Sequence, residues 1–382
     1  MRRTKIFYFI PNLQQGGPEG QVLELISRLP ERFEPVLCVY HADGIFFDRR
    51  LPPGQPKHAL GVKRMNRAAL AKLTEILKAE KPDILHSYRD KSNFWARLAG
   101  ARAGVPIMLT ACRNRMMQLR YLVLERWMSR HSRLILTNSI GVKRELETLA
   151  RVRSDKIRVI YNILDIEHFR PPTAMERGEA RANWSLAGDQ RALLLPGRVG
   201  FQKHQIGLLW ALRQLARTGR LPADVVLLLA GRERDLGFSS LAHRIARDPR
   251  LAPHVRFLGA VKDVRSLYWA SDLLVMPSLY EGLANAAMEG CASGLPALLS
   301  HAANLDGIVE PGVTGWEVPT GWPGPLARAL EVSFKVSRQT LAEMGRRSRA
   351  HVVEKFAPRE NYVLEQMIAV YDELLSDGAA AG

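Results

Sequence analysis

The sequence predicts an α/β chain made of two doubly wound, parallel-sheet domains in tandem, and three observations predict it. Short apolar runs at about 4–10, 35–40, 83–87, 106–110, 133–137 and 157–161 alternate with helical patterns, as strands joined by crossover helices do. The alternation restarts at Ala192 to Leu195, after the Pro171-Pro172 break and a polar stretch that reads as a linker. The chain has 382 residues at 47% hydrophobic content, too long for one small core and rich enough for two. The domains are expected at 1–170 and 171–357, followed by a helix and tail at 358–382.

Composition narrows the classes of function. The apolar run at the N-terminus, Ile6 to Ile10, is stopped by Pro11 and reads as a first strand, too short for the core of a signal peptide. No segment approaches the ~18 apolar residues of a membrane span, so the expectation is a soluble or peripheral protein. Cys38, Cys112 and Cys291 are far apart with no CxxC, which points away from a disulfide framework or structural zinc and toward a reducing cytoplasm. A net charge of +17 calls for something anionic: nucleic acid, anionic lipid or a phosphorylated substrate.

In the first half, the first strand runs into Pro11 to Pro18, and the helix beyond carries Val22, Leu23, Leu25, Ile26 and Leu29 on its buried side. Gly16 and Gly17 let backbone come close to a phosphate or an acceptor, and Pro18 suits a first helical turn. A plain loop is the competing reading. His86 ends the third strand, where a histidine is either a packing residue or an acceptor contact. Residues 113 to 133 hold six arginines against one glutamate, interleaved with Met116, Met117, Tyr121, Leu124 and Trp127. A basic amphipathic helix with an aromatic belongs at an anionic membrane surface; a core helix with a solvated basic face is the alternative. Lys63, Arg64 and Arg67 form a second basic cluster at a helix start.

The second half opens on a glycine-rich turn, Pro196-Gly197-Arg198-Val199-Gly200-Phe201-Gln202-Lys203-His204, ahead of a helix. Two cations there suit a leaving diphosphate, Arg198 forking two oxygens and Lys203 adding a point charge. Further on, SDLLVMPSLYEGLANAAMEGCASGLPALLS (271–300) reads as strand, turn, helix opening near Ala284, strand. Glu281 precedes that helix and Glu289 lies inside it, roughly 10 Å away at helical rise, a separation that suits one extended ligand. Amides of Gly282, Leu283 and Ala284 at a positive helix end favour a phosphate or sugar oxygen, and Glu289 suits a vicinal diol such as a ribose. No other charge stands between the two glutamates, which sets this helix apart from a solvated face.

The run PSLYEGLANAAMEGCASGLP resembles the E-x7-E signature of family 4 retaining glycosyltransferases of the GT-B fold, and Arg198 and Lys203 match the family's GRxxxxKG-type motif with His204 at the usual small residue. The resemblance covers nearly the whole chain, most strongly at 196–203 and 255–318. It implies two Rossmann-like domains facing across a cleft, with the C-terminal helix crossing back to the first. It also implies a sugar nucleotide (UDP- or GDP-linked) as donor, and a glycan or lipid-linked acceptor of surface polysaccharide or glycolipid synthesis on the first domain. Gly16 and Gly17 then match the loop that closes on the donor diphosphate, and Gly231 the turn near the base, with Glu233 in place of a second glycine. Where many members carry a histidine this chain has Cys112, and Arg113-Asn114 resemble an Arg-Asn variant, which makes them acceptor-side candidates. Ile163-Leu164 replace a common glycine and its neighbour, and Gly307 a common glutamate beside Asp306.

The implied reaction is a retaining, metal-independent transfer needing no cofactor beyond the sugar nucleotide. Arg198, Lys203 and Glu281 carry it, and Glu289 takes the ribose. Two rivals share these motifs or the charge. A GT-B epimerase or hydrolase would add an acid and base pair near the anomeric centre, and a non-enzymatic binder of anionic membrane or nucleic acid would need only the basic surface. The first half shows no such pair, and nucleic acid is not the expected partner because no RNP, KH or zinc-finger pattern appears. The expected location is the cytoplasm, peripheral on the inner face of the membrane.

Overall fold

The computed structural model describes residues 2–12, 17–40, 51, 54–115, 119–233 and 235–380. It divides into two compact units, Met1–Ile163 with Arg359–Gly382, and Leu164–Pro358.

The first unit is a parallel sheet with helices on both faces. In chain order it holds β1 (Thr4–Ile10), α1 (Gly17–Ser27), β2 (Phe33–Val39), β3 (Lys57–Ala59), α2 (Arg67–Glu80), β4 (Ile84–Tyr88), α3 (Asp90–Ala103), β5 (Ile107–Cys112), α4 (Leu119–Met128), β6 (Leu134–Thr137), α5 (Ile140–Thr148) and β7 (Ile157–Val159). The sheet order is β3-β2-β1-β4-β5-β6-β7, all parallel, so the order in which strands are added across the sheet reverses between β1 and β4. Near-continuous apolar strands such as TKIFYFI fit this, because both faces of a parallel sheet are covered. Only β3 escapes sequence reading: a three-residue edge strand, Lys-His-Ala, carries no apolar run.

The second unit begins with α6 (Ala174–Asn183) and continues β8 (Arg191–Pro196), α7 (Gln205–Arg217), β9 (Val225–Ala230), α8 (Leu236–Ala246), β10 (Val255–Gly259), α9 (Arg265–Ala270), β11 (Leu273–Met276), α10 (Asn285–Ala292), β12 (Ala297–Ser300), β13 (Gly315–Val318), α11 (Pro323–Lys335) and α12 (Arg338–Phe356). Its parallel sheet runs β10-β9-β8-β11-β12-β13, and the order of strand addition reverses between β8 and β11. Ligands of such sheets sit beyond the strand carboxyl ends at that reversal. It is there that both diphosphate-type motifs of the sequence fall.

The last helix, α13 (Tyr362–Ala380), belongs to the first unit. Val363, Leu364, Met367, Val370, Tyr371 and Leu374 pack with Ile6, Tyr8, Ile84, Tyr88 and Leu109 in one buried cluster. The unit boundary corrects the expected one. It falls between Ile163 and Leu164 rather than after residue 170, because the segment up to Pro172 is built into the second unit. Arg349 of α12 donates to the Ile166, Phe169 and Ala292 carbonyls, and Phe169 meets the Tyr268 ring edge-on.

Candidate active site

The site of the second unit is assembled by two turns at the reversal point. The turn after β8 needs its glycines for space: Gly197 has φ +142°, and a Cβ on it would meet the Lys203 stem at 2.9 Å. A Cβ on Gly231, after β9, would meet the Gly197 carbonyl oxygen at 2.0 Å. Gly231 also spends its amide on the Gly259 carbonyl, 2.7 Å away. Gly231, expected as a donor contact, gives the Gly197 turn its room. Gln205 braces the same turn, donating to the Arg198 carbonyl at 2.9 Å and accepting from the Gly200 amide at 3.2 Å.

The turn after β11 is tied to this one. The Leu279 amide donates to the Gln202 carbonyl at 2.8 Å, and Gln202 Nε2 donates to the Tyr280 carbonyl and to Glu281 Oε2, both at 3.2 Å. Lys203 Nζ donates to Glu281 Oε1 at 2.7 Å, with Glu281 only 8% exposed. Arg198 is exposed and makes no ion pair among the described residues. It is the cation of the pair left available for an anion.

Gly282, Leu283 and Ala284 are buried and lead into α10, and no chain acceptor meets their amides among the described residues. Inside α10, Glu289 is half-buried and accepts from the Tyr268 hydroxyl at 2.9 Å. Burial pushes its carboxyl above the ordinary glutamate value, against the Tyr268 hydrogen bond and the Lys203 charge, which pull it down. Lys203 therefore acts on both glutamates. Tyr268 and Gln202, which orient the two carboxylates, escape sequence reading; a tyrosine 21 residues before Glu289 carries no local signal.

His204 stands where the family has a small residue, and the backbone shows why that position is small: φ is +54° and ψ +38°. Its ring lies against Gly207, where a Cβ would come within 2.2 Å of Nε2. Gly307 likewise holds φ +61°, its carbonyl accepting from Lys355 Nζ and lying 2.8 Å from His351 Nε2.

In the first unit, Gly16 lies outside the described residues, and Gly17 opens α1. His86 is corrected from acceptor contact to core residue. Alternation along β4 turns residues 84, 86 and 88 toward α13, where His86 is fully buried, its Nδ1 lies 2.9 Å from the Tyr371 hydroxyl and its ring stacks on Tyr88 at 4.4 Å. Burial, helped by the Arg113 charge, pushes the imidazole well below its ordinary range, so it stays neutral.

The Cys112 sulfur is buried 3.6 Å from Asn93 Nδ2, while Arg113 donates to Asn162 Oδ1 at 2.9 Å with its guanidinium 5.1 Å from the Tyr88 ring centroid. Asn114 is exposed beside it. The sequence does not foretell Arg89, at φ +77° before α3, whose guanidinium pairs with buried Glu19.

The arginine-rich segment is not the basic amphipathic helix expected. Met116 and Met117 lie outside the described residues; in α4, Glu125 turns inward to a buried bidentate pair with Arg97, while Val123, Leu124 and Trp127 face out. Arg133 is held by Asp377. Among the described residues, no group of three or more His, Cys, Asp or Glu side chains is placed to hold a metal ion, and no helix is long and apolar enough to cross a membrane.

With this geometry in place, comparison with known proteins is decisive for the family. Residues 15–168 match the family described as Glycosyltransferase Family 4, and residues 190–334 that described as Glycosyl transferases group 1. The chain is a family 4 glycosyltransferase. It is 27% identical over 252 residues to the UDP-Gal:alpha-D-GlcNAc-diphosphoundecaprenol alpha-1,3-galactosyltransferase of Escherichia coli, a match covering 63% of this chain and 64% of that relative. With the lipopolysaccharide core biosynthesis glycosyltransferase LpsE of Rhizobium meliloti the identity is 27% over 283 residues, 72% of each chain. Among solved structures, HepE of Anabaena in complex with UDP and glucose superposes with a TM-score of 0.84 over 97% of this glycosyltransferase and all of that chain, at 18% identity. That likeness establishes the GT-B fold.

Proposed function

We propose that this glycosyltransferase moves a sugar from a nucleoside-diphosphate sugar to a lipid-linked glycan acceptor, with retention at the anomeric carbon and without calling on a metal ion. The observation that carries the donor reading is the reversal point of the second unit, where unpaired Arg198, the Lys203–Glu281 pair, three open amides and Glu289 converge. The E. coli relative, named for a UDP-galactose donor and a diphosphoundecaprenol acceptor, supports both substrate classes.

Each residue has a task in that reaction. The bond from the anomeric carbon to the diphosphate breaks, and negative charge grows on the departing oxygen; Arg198 and the amides of Gly282 to Ala284 meet it with charge and dipoles fixed in advance. Lys203 holds Glu281 in place for the sugar hydroxyls, and Glu289 accepts from the ribose diol of the nucleotide. The acceptor oxygen bonds to the anomeric carbon from the face the diphosphate leaves, and its proton passes to the departing phosphate oxygen. Arg113 and Asn114 are the acceptor-side candidates of the first unit.

The test is incubation of the purified protein with radiolabelled UDP-, GDP- and ADP-sugars, reading free sugar released by slow hydrolysis and the anomeric configuration of any product by NMR. Release from one nucleotide series, lost in Arg198→Ala, is expected. No turnover of any sugar nucleotide overturns the donor reading, release of the β-anomer of the free sugar from an α-linked donor, read before mutarotation, overturns retention, and an epimerised sugar nucleotide identifies the rival reaction.

A further inference from the structure

Outside the donor site, the first unit carries a pocket of about 580 Å³ that no role accounts for. It opens at the carboxyl edge of the sheet, between the loop that leads from β3 into α2, the first turn of α3, and α4. Lys63, Arg64 and Lys91 stand in its wall, all exposed, and none forms an ion pair or hydrogen bond among the described residues. Among the described residues the remaining wall is apolar and aromatic, with Trp95, Tyr121 and Leu124 prominent.

Three unpaired cations in one concave site repel one another, a cost that a bound anion relieves. Other arginines of the same unit are neutralised, as in Arg97–Glu125 and Arg115–Glu145. Beside the cations the surface is unusual in the opposite sense. Leu124 is 38%, Val123 49% and Trp127 62% exposed, and helical spacing places Trp127 next to both. The inward turn of Glu125 removes the helix's single carboxylate from this face. A basic pocket thus continues into an exposed apolar strip, a match for a molecule with a phosphate head and a hydrocarbon tail. A nucleic acid would call instead for cations spread along a track.

We propose that this pocket binds the phosphate head and first chain units of a lipid-phosphate acceptor, the head against Lys63, Arg64 and Lys91, the tail along Trp95, Tyr121 and Leu124 toward Trp127. This deepens the reading of a lipid-linked acceptor and rests on it for its place in the reaction, but the binding itself is testable apart from turnover.

The experiment is calorimetric titration of the full chain with farnesyl diphosphate below its micellar concentration, with UDP at saturation so that the donor site is occupied. Inorganic diphosphate, farnesol and phosphatidylglycerol vesicles are run in parallel. Saturable binding of farnesyl diphosphate is expected, tighter than either half-probe. It should weaken about tenfold or more when Lys63, Arg64 and Lys91 are together changed to Gln, since charge-assisted contacts to phosphate are lost. Leu124→Ser should weaken farnesyl diphosphate and leave inorganic diphosphate unchanged. UDP binding serves as the control for folding and should be the same in every variant.

Equal affinity in the triple variant overturns the proposal. So does inorganic diphosphate binding as tightly as the whole probe, and so does cation-dependent vesicle binding without any binding of farnesyl diphosphate, which would make the patch a membrane-docking surface. If farnesyl diphosphate binds as expected but UDP does not, the donor reading fails while the pocket stands.

Discussion

Lys203 Nζ lies 2.7 Å from Glu281 Oε1, so two groups that the motifs place in one site neutralise each other, and Arg198 is left as the unpaired cation. The three residues are therefore not equivalent, and substitution should separate them.

Arg198→Ala should leave thermal stability unchanged, because the side chain is exposed and unpaired, yet lower kcat by ~100-fold through loss of one preorganised contact to the leaving diphosphate. Lys203→Ala should lower turnover by a similar factor and also destabilise the fold by about 2 kcal/mol, since it strips a nearly buried carboxylate of its charged partner. Paired measurements of turnover and urea midpoint check this; a turnover loss below about fivefold in Arg198→Ala would take it out of the site.

Glu289 yields a pH prediction. Its carboxyl is raised above the ordinary value of 4.5 by burial. A raised acid holds its proton more tightly in the folded chain, so its contribution to stability is full below the unfolded value and is lost as pH rises through the folded one. Ribose binding needs the carboxylate and runs the other way. Affinity for a UDP-sugar, whose diphosphate diester does not titrate here, should fall as pH drops through this raised value, and Glu289→Gln should bind weakly with the acid limb gone. Calorimetry from pH 4.5 to 7.5 reads both; a flat profile in the native chain refutes the carboxylate's role.

Tyr268→Phe tests the orientation of Glu289 separately. Removing the hydroxyl leaves the ring packing and takes away a 2.9 Å hydrogen bond to the carboxylate. The expected result is a rise in KM for the sugar nucleotide of about three- to tenfold, roughly the net worth of one ordinary hydrogen bond because the hydroxyl acts through Glu289, with kcat little changed. A fall in kcat at constant KM would place Tyr268 in the chemical step.

The His204 ring over Gly207 gives a double-mutant test. Gly207→Ala should destabilise by about 1–3 kcal/mol, as overpacking does, because the new Cβ meets the imidazole at 2.2 Å. In a His204→Gly background the same change should cost little, since the ring is gone and glycine accepts φ +54°. Additive effects in the denaturation cycle would contradict the contact.

Arg97 is fully buried and donates to Glu125, Ser132 and Thr110. Arg97→Ala should cost about 3–5 kcal/mol by leaving Glu125 buried without its partner, and changing both Arg97 and Glu125 to Leu should return most of that. Denaturant unfolding decides. A double variant as unstable as the single one would show that the pair contributes more than mutual neutralisation.

The sequence by itself determined the two parallel sheets, because their central strands must carry apolar runs, and apolar runs alternating with helices are visible one residue at a time, while the edge strands β3 and β13 carry none. It also showed two turns of the kind that holds a phosphate, one carrying Arg198 and Lys203 and one carrying Glu281 and Glu289, and the family resemblance implied that they share a site.

Pairing and burial were beyond it. That Lys203 bonds Glu281 across 78 residues, that Tyr268 orients Glu289, and that Gly231 makes room for Gly197 depend on how strand ends lie side by side in space. The same holds for His86, which β4 turns under a helix 285 residues away in the chain at Tyr371, and for Glu125, drawn inward by Arg97 while Val123, Leu124 and Trp127 are left exposed. Local pattern records what a residue is and its period; which face is covered, and by what, is set by contacts between segments far apart in sequence, and only the folded chain holds that information.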